Sequence, residues 1–329
     1  MPTPTAFFDD QLKRWSQAAD NYKRLEESLS RILILDGTRL VVQVNPGRMA
    51  STAANTAAKV IRERPCFLCD ANRPPEQQSL EVPGEPRFTL LVNPFPVFPK
   101  HFTLIGTHQP QQLTPYIDVL FRLSQWLDDC VVFYNGPRCG ASAPDHLHFQ
   151  AGSKGFIPLQ TDIDAIRNDH TKLVLTQEST TLFQLTGLSR GGWLLEGKSE
   201  QPLILITRQL METLQAAETE KEESTEKEEP MVNVLCWYDH QGWHLLLFYR
   251  KAHRPSCYYR QDDQQRLISP AAVEMGGLLI AARQEDYNAL TVEELASIYN
   301  EVAWDDETLS RLSHNLTHHL SSRCSHHHE

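Results

Sequence analysis

Two histidines, His146 and His148, close the segment 135–150, NGPRCGASAPDHLHFQ. Side chains at i and i+2 of a strand share a face, so both imidazoles can serve one site, and Gln150 extends the row. Imidazole is the one side chain that serves as nucleophile, base or metal ligand near neutral pH, and it is used structurally just as readily. The loop ahead of the pair carries Gly136, Gly140 and Ser142, whose backbone amides suit an anion. A second group is Cys66-Phe-Leu-Cys69, a thiolate pair able to supply half of a tetrahedral zinc site. Such a site needs two more ligands, and His108, just past the apolar stretch 101–105, is placed to be a third. Two other groups read as bland. Lys251, His253 and Arg254 form a small basic cluster after a strand that could bind a phosphate of a second substrate, with a solvated turn as the plainer expectation. His314, His318, His319 and 326–328 crowd the end of the chain beside Cys324 and read as a flexible tail. Cys130, Cys236 and Cys257 read as small buried apolar residues.

The elements that must hold these groups read as α+β. A helix is expected over 8–29, and short β-branched or aromatic stretches over 39–44, 88–93, 101–105, 131–135 and 146–150 read as strands. Thr114-Pro115 opens a helix with Leu120, Leu123 and Leu127 on one face. Segments 232–238 and 243–249 flank Asp239-His-Gln-Gly242, a hairpin signal. A strand over 276–282 follows, and Thr291-Val-Glu-Glu294 is a capping box leading a last amphipathic helix. Between these parts, 218–229 reads ETEKEESTEKEE, a run that cannot bury apolar area and is expected to be solvated. The organisation expected is a catalytic lobe over 1–215, an acidic linker over 216–230, a smaller C-terminal lobe over 231–312 and the tail over 313–329.

Composition narrows the function classes. The chain has 329 residues, 40% hydrophobic and 22% charged, which suits a two-lobed globular protein. A net charge of -11 argues against a nucleic-acid partner, whose binding rests on neutralised phosphates. No stretch approaches the ~18 apolar residues of a membrane span. The N-terminus lacks a basic segment followed by an apolar one, and seven cysteines make an odd set. Reduced thiols in a cytoplasmic protein are the expectation.

HLHFQ preceded by CGAS resembles the active-site signature of the transferase branch of the histidine triad superfamily. That branch includes galactose-1-phosphate uridylyltransferases, diadenosine tetraphosphate phosphorylases and GDP-hexose phosphorylases. Asn45-Pro-Gly-Arg48, the CFLC segment and 92–101, VNPFPVFPKH, occur in the family's order, and 269–280 is similar to the second lobe of the phosphorylases. The resemblance implies a histidine-triad-like antiparallel sheet with flanking helices in two lobes. It implies that His148 is the nucleophile, that Gln150 contacts phosphoryl oxygens, and that Cys66, Cys69, His108 and His146 hold a structural zinc. Arg48, Asn93 and Ser142 fall where relatives contact nucleotide phosphates, and Asn135 and Gly140 join them as substrate-binding candidates. Relatives often dimerise, so a homodimer is implied. The implied activity is nucleotidyl transfer through a nucleotidyl-histidine, with a nucleoside diphosphate sugar of the GDP-hexose type split by inorganic phosphate. The alternatives are a dinucleoside polyphosphate phosphorylase and, from another class, a non-catalytic nucleotide- or zinc-binding module. The chemistry is coherent: a neutral imidazole attacks the α-phosphorus, and the charge that develops lies on phosphoryl oxygens, so positioning and electrostatics carry the rate.

Overall fold

The computed structural model describes residues 2–49, 58–219 and 228–325. Its strands in chain order are β1 (Ser30–Leu35), β2 (Thr38–Val44), β3 (Leu80–Glu81), β4 (Thr89–Val92), β5 (His101–Ile105), β6 (Cys130–Asn135), β7 (His148–Ser153), β8 (Thr171–Gln177), β9 (Thr180–Leu185), β10 (Gly192–Gly197), β11 (Val232–Asp239), β12 (Gly242–Tyr249) and β13 (Leu278–Ala281). Ten of them form one sheet in the order β3-β4-β5-β7-β6-β11-β12-β10-β9-β8, and β1-β2-β13 form a smaller one. Every pairing in the large sheet is antiparallel. The expected α+β class with a large antiparallel sheet is what the chain adopts.

The strand order contains a duplication. Read inward from either edge, the first half runs β3-β4-β5-β7-β6 and the second β8-β9-β10-β12-β11, so each half inserts its fifth strand between its third and its fourth. The halves meet where β6 pairs β11, with Asn135 opposite Asn233. The seam lies within the sheet, and the division between halves falls in the segment joining β7 to β8. The expected boundary at 216–230 does not divide the sheet, because β10, which carries β9 and β8 from the expected first lobe, pairs with β12 from the second.

Both faces of the central strands are covered, which is why β6 and β12 read as unbroken apolar runs. Pleating sends Val132 and Tyr134 to one core, with helices α1 (Pro4–Arg14), α3 (Ile117–Trp126), α4 (Glu200–Thr219) and α6 (Asp306–Ser325). Val131 and Phe133 face the other core, with the small sheet and helix α5 (Val292–Val302). The expected helix over 8–29 is two helices, α1 and α2 (Ser16–Glu26), broken at Trp15, whose backbone is not helical and whose ring is buried. Thr114 does not cap α3. One 3-10 turn, Thr114–Tyr116, precedes the helix, and the Leu113 amide at its start is met from across the sheet by the Glu229 carboxylate.

The expected flexible tail begins too early at 313. Helix α6 carries on to Ser325, and Ser313 and Leu316 are buried against the sheet and α4. The four residues 326–329 and most of the acidic run, 220–227, lie outside the described residues. The ends of that run are anchored: Glu218 pairs with Arg138 at 2.7 Å, and Glu229 accepts from the Tyr134 hydroxyl. Among the described residues no helix is long and apolar enough to cross a membrane.

Candidate active site

His148 opens β7, opposite Ile105 of β5. On its other side the ladder to β6 starts only at Gln150, opposite Phe133. The gap is filled by the buried Gln111, which accepts from the His148 amide at 2.9 Å and donates to its carbonyl at 2.8 Å. The ring Nδ1 lies 2.7 Å from the His146 carbonyl oxygen. A carbonyl only accepts, so Nδ1 carries the proton and Nε2 keeps its lone pair. Burial pushes the His148 pKa down to about 4, so the ring is neutral at pH 7. This is an imidazole held in one tautomer with one nucleophilic nitrogen.

Gln150 sits one pleat further, on the same face. Its orientation follows from a proton chain. The Val97 amide donates to His101 Nδ1 at 3.3 Å, which makes His101 Nε2 the protonated nitrogen. That Nε2 is 3.0 Å from Gln150 Oε1, so it donates there, and Asn93 Nδ2 approaches the same oxygen at 3.4 Å. With its oxygen engaged twice, the glutamine presents its NH2 as the outward group. Asn93 is itself fixed, its Oδ1 accepting the Phe95 amide at 2.9 Å.

His146 precedes β7 rather than lying on it, and the strand-face argument fails for it. Its ring turns away from His148 toward the cysteines: Nδ1 is 3.3 Å from Cys66 Sγ and 3.6 Å from Cys69 Sγ. His108 Nδ1 is 2.9 Å from Cys69 Sγ, and the donor atoms of the four residues all lie within 4.8 Å of one another. His146 Nε2 is 3.1 Å from the Gly106 carbonyl, which holds the proton on Nε2 and leaves Nδ1 to face the thiols. Two sulfurs and two imidazole nitrogens around one point are a donor set that suits zinc. Burial and the neighbouring Cys66 push the Cys69 thiol upward.

His148 and Gln150 line a cavity of about 700 Å³ together with Asn93, Asn135, Gly140 and Ser142. Asn135 is partly committed to the scaffold, since its Oδ1 accepts from Asn233 at 3.0 Å and from the Ala272 amide at 2.8 Å. Gly140 has φ +116°, and a Cβ there would come within 2.6 Å of Ala271 Cβ, so only glycine fits. The 136–142 loop offers fewer amides than expected: those of Cys139 and Ala141 are used by the Gly136 carbonyl. Arg48 ends the 3-10 turn Pro46–Arg48, and its side chain lies outside the described residues.

Several lining residues escaped the sequence. Arg64 enters the cavity wall paired to Asp145 at 2.8 Å. His253 and Arg254, expected in a solvated turn, line the cavity with Ser269, whereas Lys251 does stay on the surface, over Trp304. Gln111 and His101 carried the only available signals, a polar residue in an otherwise apolar neighbourhood and a histidine opening a strand.

Comparisons with known proteins bear on the fold. Residues 7–153 match the family model described as domain of unknown function DUF4922, and residues 201–323 match the model of the GDPGP1-like C-terminal domain. No curated protein sequence matches the chain significantly. Among solved structures, yeast Ap4A phosphorylase Apa2 is similar with a TM-score of 0.59 and 17% identity, over 88% of this chain and 97% of that one. The same yeast enzyme in complex with AMP matches with a TM-score of 0.54 and 17% identity, over 89% and 97%.

Proposed function

We propose, from the premise that the chain has the histidine-triad-like fold of the phosphorylases and a GDPGP1-like C-terminal domain, that it is a nucleotidyl-transferring phosphorylase working through His148. The observation that carries the proposal is the fixed tautomer of His148: a neutral ring in a nucleotide-sized cavity, with Nδ1–H tied to the His146 carbonyl. In the first step Nε2 attacks the α-phosphorus, the Nε2–P bond forms, and the bond to the leaving phosphate oxygen breaks. In the second, a phosphate oxygen attacks the same phosphorus and the Nε2–P electrons return to the ring. Nδ1 keeps its proton throughout, and the positive charge on the nucleotidyl-imidazole is met by the His146 carbonyl dipole. Gln150 supplies the neutral N–H donor to the phosphoryl oxygens, where the transition-state charge collects. Cys66, Cys69, His108 and His146 would hold a zinc ion, whose charge keeps the thiols ionised and ties the 66–69 loop to the residue whose carbonyl orients His148.

The GDPGP1-like domain supports a GDP-hexose as donor, cleaved to hexose 1-phosphate and GDP. The likeness to yeast Ap4A phosphorylase supports a second reading, a dinucleoside polyphosphate as donor. Incubation with inorganic phosphate and GDP-, UDP- and ADP-sugars or Ap4A, followed by ion-exchange separation, decides between them. Sugar 1-phosphate with GDP is the expected product. ADP with ATP from Ap4A selects the second reading. No cleavage of any donor by folded, zinc-loaded protein leaves the binding-module alternative.

A further inference from the structure

Phosphoryl transfer runs in line, so whatever leaves when His148 attacks, and whatever attacks when His148 leaves, occupies one place across the phosphorus from Nε2. Both are phosphates. The cavity therefore needs a second anion site beyond the one served by Gln150, and among the described residues the first half of the molecule offers little for it. Its cation in the lining, Arg64, is engaged by Asp145 next to the cysteine cluster.

The second half supplies the other wall, through two segments 15 residues apart in sequence. Arg254 Nε donates to Ser269 Oγ at 3.2 Å, and its guanidinium lies 4.2 Å from the centre of the Tyr258 ring. Both segments hang on Arg250, which is fully buried. Its Nη2 donates to the carbonyls of Ala252 and His253 at 3.1 and 3.0 Å, its Nη1 to the Pro270 carbonyl at 2.7 Å and Asn233 Oδ1 at 2.5 Å, and its Nε to the Val302 carbonyl at 3.1 Å. All five hydrogen-bond acceptors are neutral, so the cation is held in place by dipoles, with the Glu274 carboxylate acting on it through space. Asn233 continues to Asn135 and to the Cys139 carbonyl, which joins this wall to the loop beside His148. The carboxylate of the lining, Glu274, accepts the Ala271 amide at 2.9 Å. Burial and the two arginines hold His253 down at about 4, so it is a neutral ring at pH 7.

Resting on the phosphorylase reading, we propose that Arg254, with Ser269 and His253, forms the subsite for the phosphate across from His148: the departing sugar phosphate in the first step and the attacking inorganic phosphate in the second. Arg250 is the positioning residue that fixes both segments of that subsite.

The test uses the full-length protein and the variants Arg254→Gln, Arg254→Lys and Ser269→Ala. The nucleotidyl adduct is formed to completion without acceptor, then discharged with increasing inorganic phosphate in a rapid-quench experiment. A charge-assisted hydrogen bond is worth enough to raise the phosphate concentration for half-maximal discharge by about ten- to a hundredfold in Arg254→Gln. Arg254→Lys should recover part of that loss, and the affinity for the nucleoside monophosphate and the melting temperature should stay at wild-type values. Saturation of Arg254→Gln at the wild-type phosphate concentration overturns the proposal. If the wild-type protein forms no adduct, the phosphorylase reading fails separately, and 31P line broadening with inorganic phosphate alone then decides the subsite. Binding lost in Arg254→Gln upholds it; binding unchanged, or absent from the wild type, overturns it.

Discussion

His146 and His148 stand two positions apart and face different chemistry because the chain turns between them. The sequence made the pair legible as a pair, and the strand argument then assigned both rings to one face. What separates them is the late start of β7, which is set by Gln111 filling the unpaired edge of β6, and nothing local to HLHFQ announces that. The same holds for Gln150, whose useful end is decided by His101 and, behind it, by the Val97 amide. His101→Phe removes the donor to Oε1, and the glutamine amide is then free to rotate. The expected outcome is a kcat lower by about a hundredfold with little change in KM, because misorientation of a positioned group costs on that order. His101→Gln, which can still donate, should restore part of it; equal losses in both variants, tracking their melting temperatures, would mean that His101 only packs.

At the scale of elements, strands rich in β-branched and aromatic residues were legible, and β4, β5, β6, β11 and β12 lie close to where patterning puts them. Strands β1 and β8 were not; β1 leaves Ile32 and Ile34 exposed and β8 leaves Lys172 and Leu173 exposed, so neither buries a clean apolar face. The helix break at Trp15 was invisible because both flanking stretches keep helical spacing, and only the burial of the indole forces the turn. The cysteine pair was legible as half a metal site, and the fold supplies the other half from two loops flanking β5 and β7. Arg64 also pairs with Asp145 of the loop before β7, and Leu68 packs with Ala143 and Ile105, so the cluster adds to contacts already bracing the 66–69 segment. Cys69→Ala should lose close to one zinc per chain by elemental analysis and lower the melting temperature, with a fall in adduct formation that follows zinc content. Zinc retained at full stoichiometry in that variant would contradict the ligand set.

At the scale of the whole molecule, the duplicated strand order was not legible at all. One half has His148 and Gln150 on β7, whereas the counterpart strand β12 is buried along its length, with leucines at 245–247. The halves share a backbone plan and not a residue pattern. The acidic run misled in a related way, since composition marked it as solvent-facing while its last residues close the core. Glu229, desolvated between the Leu113 amide and the Tyr134 hydroxyl, has its pKa pushed up to about 7. A carboxyl raised in the folded state stabilises the fold while protonated, and that contribution is lost as pH rises through the folded value. Wild-type stability measured by urea unfolding should therefore fall between about pH 5 and 8, from the unfolded value near 4.3 to beyond the folded one. Glu229→Gln should flatten that slope; an unchanged slope would place the titration elsewhere.

The central claim is that His148 becomes covalently nucleotidylated, and intact-protein mass tests it most directly. The protein is incubated with GDP-hexose or Ap4A without phosphate and measured beside His148→Ala. The account predicts a gain of one nucleoside monophosphate per chain that is labile in acid, returns to zero on adding phosphate, and is missing from the variant. A mass gain that persists in His148→Ala, or none in folded wild-type protein with any donor, would contradict it.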